Sequence, residues 1–343
     1  MEIAIKNSPE KLFIATEKQT GKAFAKRFLT SLITLFLLVS LIFVFVRLSP
    51  GDPTKKYVSA QLSPELSQKI SEKFMLDKPV IEQYFAFLLN SVKGDLGVSY
   101  NFRQPVMKVV WEYFSFTLVF STLSIFLQII FSFSLAIFVA RRKNTFLNKA
   151  VSDFSLFIYS IPSFVLGVFL IYLFSVVLNL FPISGLKSLD YDSFSFWGKI
   201  LDQAWHLALP LITLSAAGTA MFYKYIKEGM DDVLHQSYIL NLRSSGVKEK
   251  VILKKHVIPN AISPLISVAG IELGVLLGGA LITEVIFSLP GMGRLTVNSI
   301  LTRDYPLIIG CVLTAGIVMI IANYLADIIK IKFDKRLLKG LLN

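Results

Sequence analysis

Long apolar runs alternate with short polar, mostly basic ones along this chain. A helix needs roughly 20 mainly apolar residues to cross the hydrocarbon core of a bilayer. Six runs qualify: 28–47 (FLTSLITLFLLVSLIFVFVR), 116–140, 151–180, 205–223, 262–287 and 306–329. The fourth is the weakest, because Pro210 and Gly218 break it; an internal proline removes a hydrogen bond and crowds the preceding turn. The pattern predicts an all-α polytopic membrane protein with six transmembrane helices.

Two of the polar stretches carry element signals of their own. In 48–115, SPELSQKISEKF opens with Ser63 as a helix cap, Pro64 at the first helical position and Glu65 near the positive end. DKPVIEQYFAFLLN reads as a second short amphipathic helix and KGDLGVSY as a turn. These predict a small helical subdomain close to the membrane. In 224–261, the stretch 228–243 (EGMDDVLHQSYILNLR) has apolar positions at Met230, Val233, Leu234, Tyr238, Ile239 and Leu242, one face of a helix. Gly246 then offers a left-handed stop, and KEKVILKKHVI starts another helix, with Pro259 and Pro264 marking the approach to the fifth span. The expectation is helix, glycine turn, helix, with the apolar edge Val247, Val251 and Ile252 left for a partner. From the residues alone, a protein-docking helix, a basic segment resting on anionic lipid and a plain connector all remain open.

Charge orients the spans. Lys and Arg number six in 1–27, four in 141–150, seven in 224–261 and five after 329, against two each in 181–204 and 288–305. Eight in 48–115 are accompanied by seven acids, and long loops cross largely regardless of charge. The bias places both termini, 141–150 and 224–261 in the cytosol. The boundaries are then a basic tail 1–27 leading to an uncleaved first span 28–47, an extracellular subdomain 48–115, a core 116–330 and a tail 331–343. With 54% hydrophobic and 17% charged residues, the composition is that of an integral membrane protein. The net charge of +12 is dispersed between spans rather than gathered for nucleic acid. The single cysteine, Cys311, excludes an intramolecular disulfide and reads as a packed side chain.

Chemistry enters mainly by elimination. No phosphate-binding G-x-x-x-x-G-K-[ST] occurs; Gly21–Lys22 is isolated. His206 and His256 have no second ligand at metal spacing, so no metal site is expected. Neither a nucleophile elbow nor a zinc-protease motif supports an intramembrane enzyme. Asp153, Glu284 and Asp327 fall near span ends, where solvent can reach them. Glu272, nearest the middle of the fifth span, is the pathway candidate, since an ionisable group there is functional by default. Pro162, Gly167, Pro210, Gly218, Gly274, Gly278 and Gly279 are hinge or packing positions.

The chain resembles the membrane-spanning subunit of bacterial ATP-binding-cassette importers, and more narrowly the first of the two permeases in dipeptide, oligopeptide and nickel uptake systems. The likeness covers most of 25–336. Its carriers are RLSPGDP (47–53), LDKPVIEQYFAFLLNSVKGDLGVSY (76–100), IPSF (161–164), HLALPLITL (206–214), KYIKEGMDDVL (224–234), GGALITEVIFSLPGMGRL (278–295) and RDYPLIIG (303–310). The family's cytosolic signature corresponds to Tyr238, Gly246, His256, Asn260, Ala261 and Pro264. Its usual basic, Ala-rich turn is here Leu240–Asn241–Leu242–Arg243–Ser244–Ser245–Gly246, keeping only Arg243 and Gly246.

The resemblance implies a type I importer transmembrane domain in the bacterial cytoplasmic membrane. Its coupling helix within 238–261 (Tyr238, Arg243, Gly246, Val247, Val251, His256 and Asn260) would dock on an ATPase. The implied partners are a second homologous permease, two ATPases that bind ATP and magnesium, an external solute-binding protein, and membrane lipid. This chain would carry no cofactor and no catalytic residue, and would pass di- or oligopeptides. Nickel is an alternative cargo, and a proton-coupled carrier using Glu272 is a more distant alternative.

Overall fold

A computed structural model of the chain describes residues 9–48, 78–141 and 145–333. Among them the structure is helical, without strands; one isolated bridge pairs Val98 with Pro105. Among the described residues, five helical stretches are long and apolar enough to cross a membrane, and a bent pair, counted as one span, makes a sixth. The first membrane helix, α1 (Pro9–Leu48), carries the apolar window Ala25–Phe45. A short helix α2 (Val80–Val92) follows, then the long α3 (Val106–Arg141). The bent pair is α4 (Thr145–Ser160) and α5 (Ser163–Leu170), the latter widened into a π-turn over Ile171–Val177. Helix α6 (Phe196–Leu234) leads to α7 (Ser237–Ser244), α8 (Glu249–Ile252) and α9 (Ile258–Ala261), with a π-turn, Leu253–Val257, between the last two. Then come α10 (Ser263–Leu277), α11 (Leu281–Ile286), α12 (Met292–Leu301) and α13 (Tyr305–Phe333).

The bundle has two unlike ends. The end with α7–α9 and the start of α4 is called the basic end. The other, with α2, α11, α12 and the loops around residues 94–105 and 178–195, is the distal end.

Several elements differ from the sequence expectation. The third span is not one helix: α4 and α5 meet at 97°, because Pro162 cannot continue the ladder and begins a new helix as its cap. The fourth is not broken. Helix α6 runs 39 residues through Pro210 and Gly218, since a proline removes one hydrogen bond and packing on both sides holds the rest; Leu209, Pro210, Thr213 and Gly218 are all buried. The fifth span stops at Leu277, opens at Gly278–Ala280 and resumes as α11. The predicted single helix 228–243 is two, α6 ending at Leu234 and α7 starting at Ser237. The expected second helix of the 48–115 region is α2, and the turn after it is present at Lys93–Gly94. The helix expected from Ser63 lies outside the described residues, as does the tail beyond Phe333.

Packing follows membrane rules. Apolar side chains gain nothing by leaving lipid for a neighbouring helix, so close approach of small residues matters. On α10, Gly270 faces Ala326 of α13 and Gly274 faces Met319 and Ala322; Gly278, just past its end, faces Ala315. Three buried clusters result among the described residues. One joins α1, α2, the start of α3, α12 and α13 around Phe43, Phe87, Val106, Leu295 and Leu307. It includes Cys311, fully buried as expected. A second lies at the basic end around Phe222, Ile226, Ile239, Ile252 and Val257. The third joins α3, α5, α6 and α11 around Phe120, Leu209 and Phe287.

Candidate functional site

At the basic end, α7 closes on Gly246 at φ +75°. The Gly246 amide donates to the Arg243 carbonyl and the Val247 amide to the Leu242 carbonyl, each at 3.0 Å. This pair of bonds satisfies the last carbonyls of the helix and turns the chain back in a Schellman stop. A Cβ at Gly246 would meet nothing within 4 Å, so the backbone angle, not crowding, calls for glycine there. Arg243 then reaches across the turn to Glu249, with Nη2 to Oε1 at 2.7 Å and Nε to Oε1 at 3.0 Å.

Apolar anchors hold this turn on the bundle. Ile239, Ile252 and Val257 are fully buried against Phe222, Tyr223, Ile226 and Met230 of α6. Gly229 of α6 lets the backbone of Ala261 come so close that a Cβ would stand 2.9 Å from its carbonyl oxygen. Ile252, expected to be free for a partner, is thus an anchor. Val247 packs partly into the same cluster and Val251 is half-buried. The apolar groups presented outward are Tyr238 and Leu240, 40% and 67% exposed. Tyr238 stands edge-on to His256 at 6.4 Å, and Asn260 donates to the His256 carbonyl at 2.6 Å. Tyr238, His256 and Asn260 therefore form one small group beside the turn, while Arg243 is engaged within the chain.

The distal end is built on three buried carboxylates that the sequence reading did not single out as a group. Glu284, expected near solvent, is fully buried. Its Oε2 accepts from the amides of Gly293 at 2.6 Å and Arg294 at 3.1 Å, and its Oε1 accepts from the Thr117 hydroxyl at 2.9 Å. The Thr117 oxygen in turn accepts from the Met292 amide at 2.8 Å. The carboxylate and Thr117 together satisfy the first amides of α12, where the helix dipole favours negative charge. The fit is tight: Gly279, at φ +125°, lies against Gly293 with 2.8 Å between its missing Cβ and the Gly293 Cα. Gly279 is consequently packed between segments.

Asp304 is also fully buried. Its Oδ2 accepts from the Ser99 hydroxyl at 2.5 Å and the Asn101 amide at 3.1 Å, and its Oδ1 from the Leu307 amide at 3.4 Å. It caps α13 and ties down the loop before α3. Asp202, nearly buried, accepts from the Ser188 amide at 2.9 Å and the Ser188 hydroxyl at 2.5 Å. His206 Nδ1 lies 3.7 Å from Asp202 Oδ1 and 2.9 Å from its carbonyl. Among the described residues no cluster of three or more His, Cys, Asp or Glu could hold a metal ion.

Between the ends runs a polar seam. Thr117, Ser121, Ser124, Gln128 and Ser132 fall on one face of α3 and are all fully buried. Ser121 donates to the Leu276 carbonyl at 2.9 Å, and Ser124 shares a 3.1 Å bond with Ser215. Gln128 fills the space left by Gly218. The signals were present in the sequence: polar residues every three or four positions in an apolar helix, and Asp–Tyr–Pro as a capping pattern at 304–306.

The remaining candidates are scattered. Asp327, expected to be solvated, pairs with Arg27 of α1. Glu272 is half-buried and, among the described residues, has no hydrogen-bond or ion-pair partner. It lies between Gly270 and Gly274, level with residues 322–326 of α13 and so toward the basic end. Gly167 packs closely on Thr213, whose methyl group a Cβ at 167 would meet at 3.2 Å.

Residues 132–339 match the family described as binding-protein-dependent transport system inner membrane component, and 22–121 match the N-terminal part of such membrane components. A protein of Brucella suis biovar 1 named as a peptide permease is 34% identical over 314 residues, 91% of this chain and 97% of its own length. The glutathione transport system permease protein of Shigella flexneri serotype 5b is 32% identical over 304 residues, 89% of this chain and 94% of its own. A solved inward-facing methionine ABC transporter covers 68% of this chain and 97% of its own at 18% identity, with a TM-score of 0.47.

Proposed function

The chain belongs to the binding-protein-dependent transport system inner membrane components, and from that premise we propose that it forms one half of the pathway of an ATP-driven peptide importer. It is a multi-pass protein of the bacterial inner membrane. Its relatives are named for peptides and for glutathione, itself a short peptide, and this favours a di- or oligopeptide cargo here. In this proposal the basic end faces the cytosol, in keeping with the Lys and Arg bias. A second, similar permease completes the pathway. Two ATPases bind ATP and its magnesium, and an external solute-binding protein delivers cargo at the distal end.

The observation that carries the proposal is the turn at Gly246. A short helix is stopped by one glycine, presents Tyr238 and Leu240 outward, and is bolted by Ile239, Ile252 and Val257 to a 39-residue helix that reaches the far side. A push on that turn moves α6 as a rigid body. Glu272, whose side chain has no partner among the described residues, supports a role on the cargo pathway, where it would meet a peptide's amino terminus.

Two variants test the docking. Gly246→Pro cannot adopt φ +75°, since proline is held near −65°, and Val251→Asp puts a charge beside the turn. Both should insert normally, yet fail to retain an ATPase on purification and lose ATP-dependent uptake in proteoliposomes. Full retention of the ATPase by both variants would remove the basis for the coupling role. Uptake by the wild-type chain that ignores ATP and collapses with the proton gradient would favour the carrier alternative.

A further inference from the structure

Helix α2 is apolar on two opposite faces. One face, with Ala86 and Phe87, is buried against the distal part of α1. The Tyr84 and Phe87 rings lie 5.2 and 5.4 Å from that of Phe43, and the Tyr84 hydroxyl shares a 2.5 Å hydrogen bond with Ser40. The other face carries Ile81, Phe85, Leu89 and Val92, which are 71%, 60%, 63% and 88% exposed. Their spacing of about four residues puts them on one stripe. A helix standing in water would carry polar groups there.

The level of α2 identifies what covers the stripe. Ser40 and Phe43 both lie inside the apolar window Ala25–Phe45 of α1. Ser40 is roughly 7 Å inside the end of that window at 1.5 Å per residue. Interfacial helices bury their apolar faces to a similar depth, about 5–10 Å. At the same level α1 itself exposes Leu37, Leu41 and Phe45, a face that meets hydrocarbon on the membrane-spanning reading of α1. Two inward polar groups of α2 are satisfied inside the protein, Tyr84 by Ser40 and Gln83 by the Lys78 carbonyl at 2.7 Å, while the buried Ser91 hydroxyl has no hydrogen-bond partner among the described residues. Exposed Lys78 and Lys93 flank the helix, placed to carry their charges to the headgroups.

We propose that α2 is seated in the membrane leaflet at the distal end, with lipid acyl chains covering Ile81, Phe85, Leu89 and Val92. The second permease and the solute-binding protein are then excluded as the occupants of this face. The inference rests on the membrane-spanning reading of α1, and the test separates the two.

Cys311 is replaced by Ser, and single nitroxide labels are attached through Phe85→Cys, Leu89→Cys, Leu37→Cys on α1 and Lys93→Cys. Each protein is purified from its native host with the subunits that accompany it and placed in nanodiscs of phosphatidylethanolamine and phosphatidylglycerol. Collision rates with oxygen and with a water-soluble nickel chelate are then read. The expected result is an oxygen-to-nickel ratio at Phe85 and Leu89 matching that at Leu37 and several-fold above that at Lys93. Nickel-dominated collisions at Phe85 and Leu89, with Leu37 still in lipid, would place α2 in water and overturn the proposal alone. Immobile labels shielded from both reagents would show a protein cover and overturn it equally. A nickel-dominated Leu37 would instead sink the placement of α1, and the proposal with it.

Discussion

The two ends of the bundle are held by opposite means. The distal end joins segments far apart in sequence through buried carboxylates: Glu284 binds Thr117 and the start of α12, and Asp304 binds Ser99 and Asn101. The basic end keeps its side-chain polar bonds mostly local and on the surface. Arg243–Glu249 and Asn260–His256 each span a few residues, while Ile239, Ile252 and Val257 do the anchoring underneath. A buried carboxylate with its donors fixed tolerates little displacement, because any donor left unpaired in a dry site costs about 1–3 kcal/mol. An apolar anchor under an exposed skin leaves the skin free to be shaped by a partner. The contrast sets the buried clamps of one end against the exposed skin of the other, where the proposed ATPase contact lies.

Substitutions can break or sharpen that contrast, and the largest effect is expected at Glu284. Glu284→Ala strands the Gly293 and Arg294 amides and the Thr117 hydroxyl in a buried site. A loss of about 1–3 kcal/mol for each stranded donor is expected, read as a collapse in folded yield and unfolding temperature in detergent. Unchanged thermal unfolding of this variant would break the comparison outright. Asp304→Ala should cost about 1–3 kcal/mol and raise proteolysis of the loop around residues 99–103, since that loop loses its buried anchor.

Gly218→Ala probes the seam between the ends. The added methyl group displaces Gln128, and overpacking of this kind costs about 1–3 kcal/mol. Gln128→Ala in the same chain should restore part of that loss, and a purely additive double variant would show that the two residues do not share the space. At the basic end the changes in stability shrink while the changes in function grow. Gly246→Ala should cost about 1 kcal/mol, the penalty for a side chain in the left-handed region, together with weakened ATPase association. Arg243→Ala removes an exposed ion pair worth about 0.2–1 kcal/mol. It should leave the unfolding temperature nearly unchanged, and a fall of many degrees would show that the surface pair is structural.

The apolar runs were legible because membrane insertion is decided by local composition over about 20 residues. The glycine stop at 246 was legible for a similar reason, as it is set by one residue's backbone freedom. Breaks and continuations were not. Pro162 and Pro210 are both prolines within apolar runs, yet one ends a helix at a 97° bend and the other lies inside a 39-residue helix. The difference is which neighbours pack against each. The role of Ile252 was misjudged likewise: helical periodicity names an apolar position but not the surface that covers it.

By itself, the sequence determined the all-helical membrane class, the polar and basic stretches between spans, and the turn at Gly246, because each is written within a window of one to about 20 residues. Only the tertiary structure decided that Glu284 and Asp304 are buried clamps, that Asp327 pairs with Arg27, and that α2 lies against the membrane window of α1. Those facts depend on partners 44 to 205 positions apart for the bonds at Tyr84, Glu284 and Asp304. A carboxylate's fate is set by which donors the fold brings to it, and no local pattern records them.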